Sequence, residues 1–269
     1  MIHLFALLLY NAAFLLWLRT LLGGGRGRDA PPAWATAAGV AAHVVAFSAY
    51  AAEFRELPLV GLGPSLSMLA LLVTIGLLGA VVVREGERVG IVLLPLAIIL
   101  QAIALAVGIR PSGTDPDFQG GWFILHAGLG LAGVVGIALA GASGGLYLAQ
   151  FRELKARRMG RLFYFLPPLA TLDRLGRVGS HVGFVFLTVS LALGWAWTVR
   201  FRGTFGQEDV EMWWGLFSWL AVLTAILTRA ARGGTPERRA ALANSVAFLL
   251  VVAGYVVLRV TAHPEAGFL

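Results

Sequence analysis

An all-α fold, a polytopic membrane bundle of about eight transmembrane helices, is predicted by three observations: the balance of apolar to charged residues, the length of the apolar runs, and the placing of basic residues between them. Hydrophobic residues make up 58% of the 269 positions, charged residues 13%, and mean hydropathy is +0.81. A soluble domain of this size cannot keep that much apolar surface from water, so the bilayer is the solvent and the first partner. Isolated strands leave backbone groups unpaired in lipid, and the runs lack the alternation of a membrane barrel.

A helical span needs about 20 apolar residues. Gly, Pro and charge clusters divide the chain into runs near 3–22, 33–52, 64–83, 89–109, 122–150, 178–198, 212–229 and 240–262, which read as one integral membrane domain over 1–269. The first run has no basic residue before it and Arg19 near its end, so it reads as a retained helix rather than a signal peptide. Tryptophans near the run ends, such as Trp34, Trp122, Trp195, Trp197 and Trp213, suit interfacial belts.

Basic residues stay on the cytoplasmic side during insertion. Alternate junctions hold Arg19, Arg26 and Arg28, then Arg84 and Arg88, then Arg152, Lys155, Arg157, Arg158, Arg161, Arg174 and Arg177, then Arg229, Arg232, Arg238 and Arg239. The opposite side keeps Arg55, Arg110, Arg200, Arg202 and Arg259. This bias predicts an even number of helices with both termini outside, in the periplasm or its equivalent; the expected location is a bacterial cytoplasmic (inner) membrane.

The net charge of +7 is not arranged as an interleaved basic and aromatic surface, so no nucleic acid is expected as partner. Zero cysteines exclude thiol redox chemistry, disulfides and thiolate metal ligands. No phosphate-binding glycine loop, zinc-protease helix or serine elbow is present, and no catalytic residue is assigned. The glycines from Gly128 to Gly145 in the fifth run suit close helix packing.

The predicted topology sorts the histidines. His126 lies about one turn inside the outer end of the fifth helix and His263 just beyond the outer end of the eighth, so both belong to one face of the membrane. Two neutral imidazoles can ligate one haem iron from opposite faces; interfacial, hydrogen-bonded histidines are the alternative. His43 sits near the middle of the second helix, with Asn11 and Gln101 at similar depth. An ionisable group there needs a partner, so these three read as a buried polar cluster, a transient ligand set or part of a solute path. The solute path implies a small-solute transporter, against which stands the lack of an internal repeat. His3 and His181 read as structural or solvated. Arg259, one turn before His263, and Arg200 are outer cations able to receive a carboxylate such as a haem propionate, or to snorkel to lipid phosphate. The segment 151–177 is the longest cytoplasmic connection, basic at first and then apolar at Leu162–Leu166, and reads as lying on anionic lipid or docking a partner.

A set of ordered motifs carries a family resemblance. Leu125-His126, Gly145-Leu146-Tyr147-Leu148, Leu154-Lys155, Leu166-Pro167-Pro168-Leu169, Leu172-Asp173-Arg174-Leu175 and Gly183-Phe184-Val185-Phe186-Leu187-Thr188 resemble the cytochrome c assembly family, which includes the CcsA, CcmC and HemX-like haem-handling proteins. Leu57-Pro58-Leu59 with Ser65-Leu66-Ser67 resembles the outer loop leading into the third helix of CcsA, and the likeness covers about 53–265. In CcsA-like members a tryptophan-rich outer loop presents haem between two flanking histidines. The resemblance implies that His126 and His263 are those ligands, and it aligns Asp209, Trp214 and Trp219 with the end of that loop and the helix after it. Thr204-Phe205-Gly206-Gln207-Glu208 lacks the signature tryptophans, and a further membrane histidine of CcsA is replaced around Leu227; the loss of the tryptophans and the basic connection after Tyr147-Leu148 lean toward the HemX-like branch.

The resemblance thus implies a membrane component of cytochrome c assembly that binds, transports or presents haem at the outer face, with b-type haem held transiently as cofactor. His126 and His263 would ligate the iron, with Arg259, Arg200, Asp209 and Trp214 around it. A second cytochrome c assembly membrane protein and apocytochrome c are the implied partners, and a haem lyase role is conditional on them. A HemX-like, non-catalytic regulator of haem biosynthesis acting through 151–177 is the alternative.

Overall fold

The structure, a computed structural model, describes residues 2–23, 33–81, 86–111, 120–157, 160–201, 210–230 and 236–261. Among the described residues its regular structure is all helical, with nine α-helices and one 3₁₀ turn: α1 Ile2–Leu22, α2 Ala33–Phe54, α3 Leu62–Ala80, the turn Gly86–Val89, α4 Gly90–Val107, α5 Gly121–Lys155, α6 Arg161–Phe165, α7 Leu169–Phe201, α8 Val210–Ala230 and α9 Pro236–Thr261. Seven of the nine, α1 to α5, α7 and α8, are long and apolar enough to cross a membrane. The eighth predicted run lies in α9, which packs along α5 and α8. Large apolar side chains such as Leu15, Ile99 and Leu249 face outward, as expected where lipid rather than water surrounds the bundle.

The helices form two groups. In the first, α1 runs antiparallel to α4: His3 meets Gln101 at one end, and Trp17 lies over Gly90 at the other. The second group, α5, α7, α8 and α9, is built on the long α5–α7 contact. There two glycines decide the distance between axes. A Cβ on Gly136 would lie 2.6 Å from the Gly183 Cα and 2.7 Å from the Gly179 carbonyl oxygen, so only glycine allows the two backbones to touch. Val135 of α5 packs on Gly76 of α3 and joins the groups.

α5 and α7 are longer than the predicted runs 122–150 and 178–198. Their extra turns lie in the basic connection, where packing rather than lipid sustains the helix. α5 stops at Lys155, capped by Ala156, and Arg157 then adopts a left-handed conformation (φ 55°). The apolar run Leu162–Leu166, expected on a lipid surface or a partner, partly folds inward as α6. Phe165 and Leu166 are buried; Trp17 meets the Phe165 ring edge-on at 6.2 Å, and the Arg88 guanidinium lies over it at 5.7 Å. Arg88 Nη1 also donates to the Phe165 carbonyl. At the same end Asp173 of α7 accepts from Arg229 of α8 (2.6 and 3.3 Å) and from Arg177 (3.0 Å).

Candidate functional site

The structure places the histidines in two unlike settings. His43 is fully buried at the centre of a hydrogen-bonded chain that runs through four helices. The Gln101 amide nitrogen donates to the His3 carbonyl (3.4 Å), which turns its oxygen toward Ser67. The Ser67 hydroxyl donates to that oxygen (2.8 Å). Its single proton is then spent, so at 2.9 Å His43 Nε2–H donates to Ser67 Oγ. Nδ1 is left as an acceptor for the Tyr10 hydroxyl (3.0 Å), which also lies 3.0 Å from Thr74 Oγ1. Phe47 stacks on the ring at 4.8 Å. Both nitrogens of His43 are therefore occupied by protein groups.

This chain includes two of the three polar residues expected to cluster. Asn11 turns away, donating to the Leu7 carbonyl of its own helix (2.9 Å). Sequence reasoning missed Tyr10, Ser67 and Thr74 as members; of the two readings of His3, structural or solvated, the structure favours the first, since its ring packs edge-on to His43 with centroids 5.7 Å apart. His181 bonds the Arg177 carbonyl one turn back (2.8 Å) and is exposed.

His126 differs. It is half-buried in the second turn of α5, and its Nδ1 lies 2.8 Å from the Ser190 carbonyl of α7. The Ser190 hydroxyl donates to the His126 carbonyl (2.9 Å), and one turn outward the Trp122 indole donates to the Leu193 carbonyl (2.9 Å). Three bonds thus fasten the start of α5 to α7. Among the described residues no protein group hydrogen-bonds His126 Nε2, so this nitrogen is free to meet a ligand. An imidazole held through Nδ1 with Nε2 open has the chemistry of an axial haem ligand, so the residue fits that role.

The helical turns carrying Arg200, Arg259 and Trp214 lie toward the same end of the bundle. Arg200 is exposed in the last turn of α7, ten residues beyond Ser190. α9 runs antiparallel to α5, with Ala241 against Gly144 and Ser245 against Gly141, so the turn carrying Arg259 arrives at the end where His126 stands. Trp214, half-buried, donates to the Val251 carbonyl (3.2 Å) and packs on Tyr255 with centroids 5.7 Å apart. It fastens α8 to α9. Trp219 donates to Thr188 Oγ1 (2.8 Å) and stacks on Phe184 at 5.3 Å, fastening α8 to α7. His263 and Asp209 lie outside the described residues. Among the described residues there is no group of three or more His, Asp or Glu that could hold a metal ion.

Residues 62–263 match the family model described as Cytochrome C assembly protein. Three curated relatives are called Cytochrome c biogenesis protein CcsA. One, from Chlamydomonas reinhardtii, is 26% identical over 136 residues, covering 51% of this chain and 37% of that protein. One from Prochlorococcus marinus subsp. pastoris is 35% identical over 81 residues, covering 30% of this chain and 26% of the relative. Another, from Prochlorococcus marinus strain MIT 9312, is 33% identical over 85 residues, covering 32% and 27%. The matched segments therefore span between about a quarter and just over a third of the length of these curated relatives. No solved structure matches it.

Proposed function

Because this chain belongs to the cytochrome c assembly protein family, we propose that it is an integral membrane component of cytochrome c assembly that holds haem at the outer face of a bacterial inner membrane. The observation that carries the reading is the open Nε2 of His126, beside a His43 whose nitrogens are both engaged. His126 and His263 would hold the iron, and Arg200 and Arg259 would receive the propionates. Trp214 stands at the same end, and the family resemblance aligns Asp209 with the loop before it. When bound, haem supplies the iron and the vinyl groups for attachment, and the thioether-forming cysteines belong to the apocytochrome partner. This chain's own residues orient the macrocycle and exclude competing ligands.

The test is the absorption spectrum of protein purified from haem-replete cells. A Soret band that survives His43→Ala and is lost in His126→Ala and in His263→Ala is expected. Haem-free wild-type protein, or a band indifferent to both outer histidines, overturns the reading.

A further inference from the structure

The way α7 holds the His126 ring carries one inference more, and it rests on the reading above for the identity of the ligand that Nε2 meets. We infer that Ser190 and Gly194 are positioning residues that select the tautomer and set the place of the His126 imidazole.

A neutral imidazole carries one N–H. The Ser190 carbonyl can only accept, and it lies 2.8 Å from Nδ1. The Ser190 hydroxyl spends its proton on the His126 carbonyl at 2.9 Å, so its oxygen, 3.3 Å from the same Nδ1, also faces that nitrogen as an acceptor. Two acceptors on one nitrogen place the proton on Nδ1 and the lone pair on Nε2. A carbonyl on the far nitrogen also makes the ring a more basic ligand. His43 is the internal contrast, because its hydrogen-bond chain puts the proton on Nε2.

Gly194 provides the space. It lies four residues after Ser190, on the same face of α7. A Cβ there would sit 2.8 Å from His126 Cε1 and 3.1 Å from Nδ1, and Cε1 is the atom between the two ring nitrogens. Any side chain at 194 pushes the ring off its acceptor and displaces Nε2 with it. One turn of α7 thus contributes both the acceptor that chooses the nitrogen and the gap in which the ring sits. Gly128 is the natural control, since a Cβ there would meet nothing within 4 Å.

The experiment is ¹⁵N NMR of full-length, histidine-labelled protein in lipid nanodiscs, produced haem-free, with His126 assigned by its loss in His126→Gln. At neutral pH the wild-type protein is expected to show the Nδ1–H tautomer. Gly194→Ala should give mixed tautomers, and Gly128→Ala should match the wild type. An Nε2–H tautomer in the wild type overturns the inference without any variant, and so does a Gly194→Ala signal identical to wild type. In haem-loaded protein, Gly194→Ala is expected to weaken retention on the order of tenfold, with the low-spin spectrum restored by added imidazole. Unaltered retention in that variant also overturns the inference. If the tautomer results hold while wild-type protein takes up no haem, the positioning stands and the haem reading falls.

Discussion

Gly136 and Gly183 bring α5 and α7 together backbone to backbone, since a Cβ on Gly136 would stand 2.6 Å from the Gly183 Cα. The obstacle is main chain, which cannot rotate aside as a side chain would. Gly136→Ala is therefore expected to destabilise the protein by about 1–3 kcal/mol, the usual range for overpacking. Thermal unfolding in detergent checks this. Gly128→Ala, in open space on the same helix, should be nearly silent, and equal losses in the two variants would contradict the close contact.

Ser67 is both acceptor for His43 and donor to Gln101. Ser67→Ala leaves a buried N–H and a buried amide oxygen unpaired at once, for which about 1–2 kcal/mol is expected. Replacing His43 as well removes one of the stranded groups, so the double variant His43→Ala/Ser67→Ala should cost less than the sum of the single changes. A double-mutant cycle should return a coupling on the order of 1 kcal/mol. Strict additivity would show that the two side chains do not bond.

Asp173 separates a consequential ion pair from a superficial one. Its side chain is 9% exposed and Arg229 25%, whereas Arg177 is 53% exposed. Asp173→Asn strands the Arg229 guanidinium, and the loss should approach but stay below the roughly 3–5 kcal/mol of a fully buried pair, because Arg229 still reaches solvent. Arg177→Ala should cost about 0–1 kcal/mol. Unfolding midpoints at matched salt decide this, and similar shifts for both variants would contradict the assignment.

The existence of the helices was legible because a span must be apolar along its whole length. Their ends were not. The added turns of α5 and α7 are polar, and they are helical because α6, α8 and α9 pack against them, which residue identity alone does not reveal. The polar core was half legible. Depth pointed to His43 and Gln101 correctly, but Asn11 was chosen where Tyr10 is the member. Neighbouring residues on a helix differ by about 100° in direction, so equal depth does not mean the same face. Of the candidate site, His126 was legible as an imidazole near one end of its helix. Its partner was not, because the Ser190 acceptor is a backbone carbonyl, which any residue at 190 possesses. Gly194 left a signal only as one more glycine in a glycine-rich chain.

The contact of Arg88 with Phe165 has a consequence for the order in which the protein is made. A chain emerges from its N-terminus, so α1, the 3₁₀ turn and α4 are in place while residue 165 is still unsynthesised. Until then Trp17 and Arg88 are without the ring and carbonyl that later cover them. The first four helices thus form a unit whose closing piece comes from the following half, and maturation of the N-terminal half waits for translation to pass Phe165.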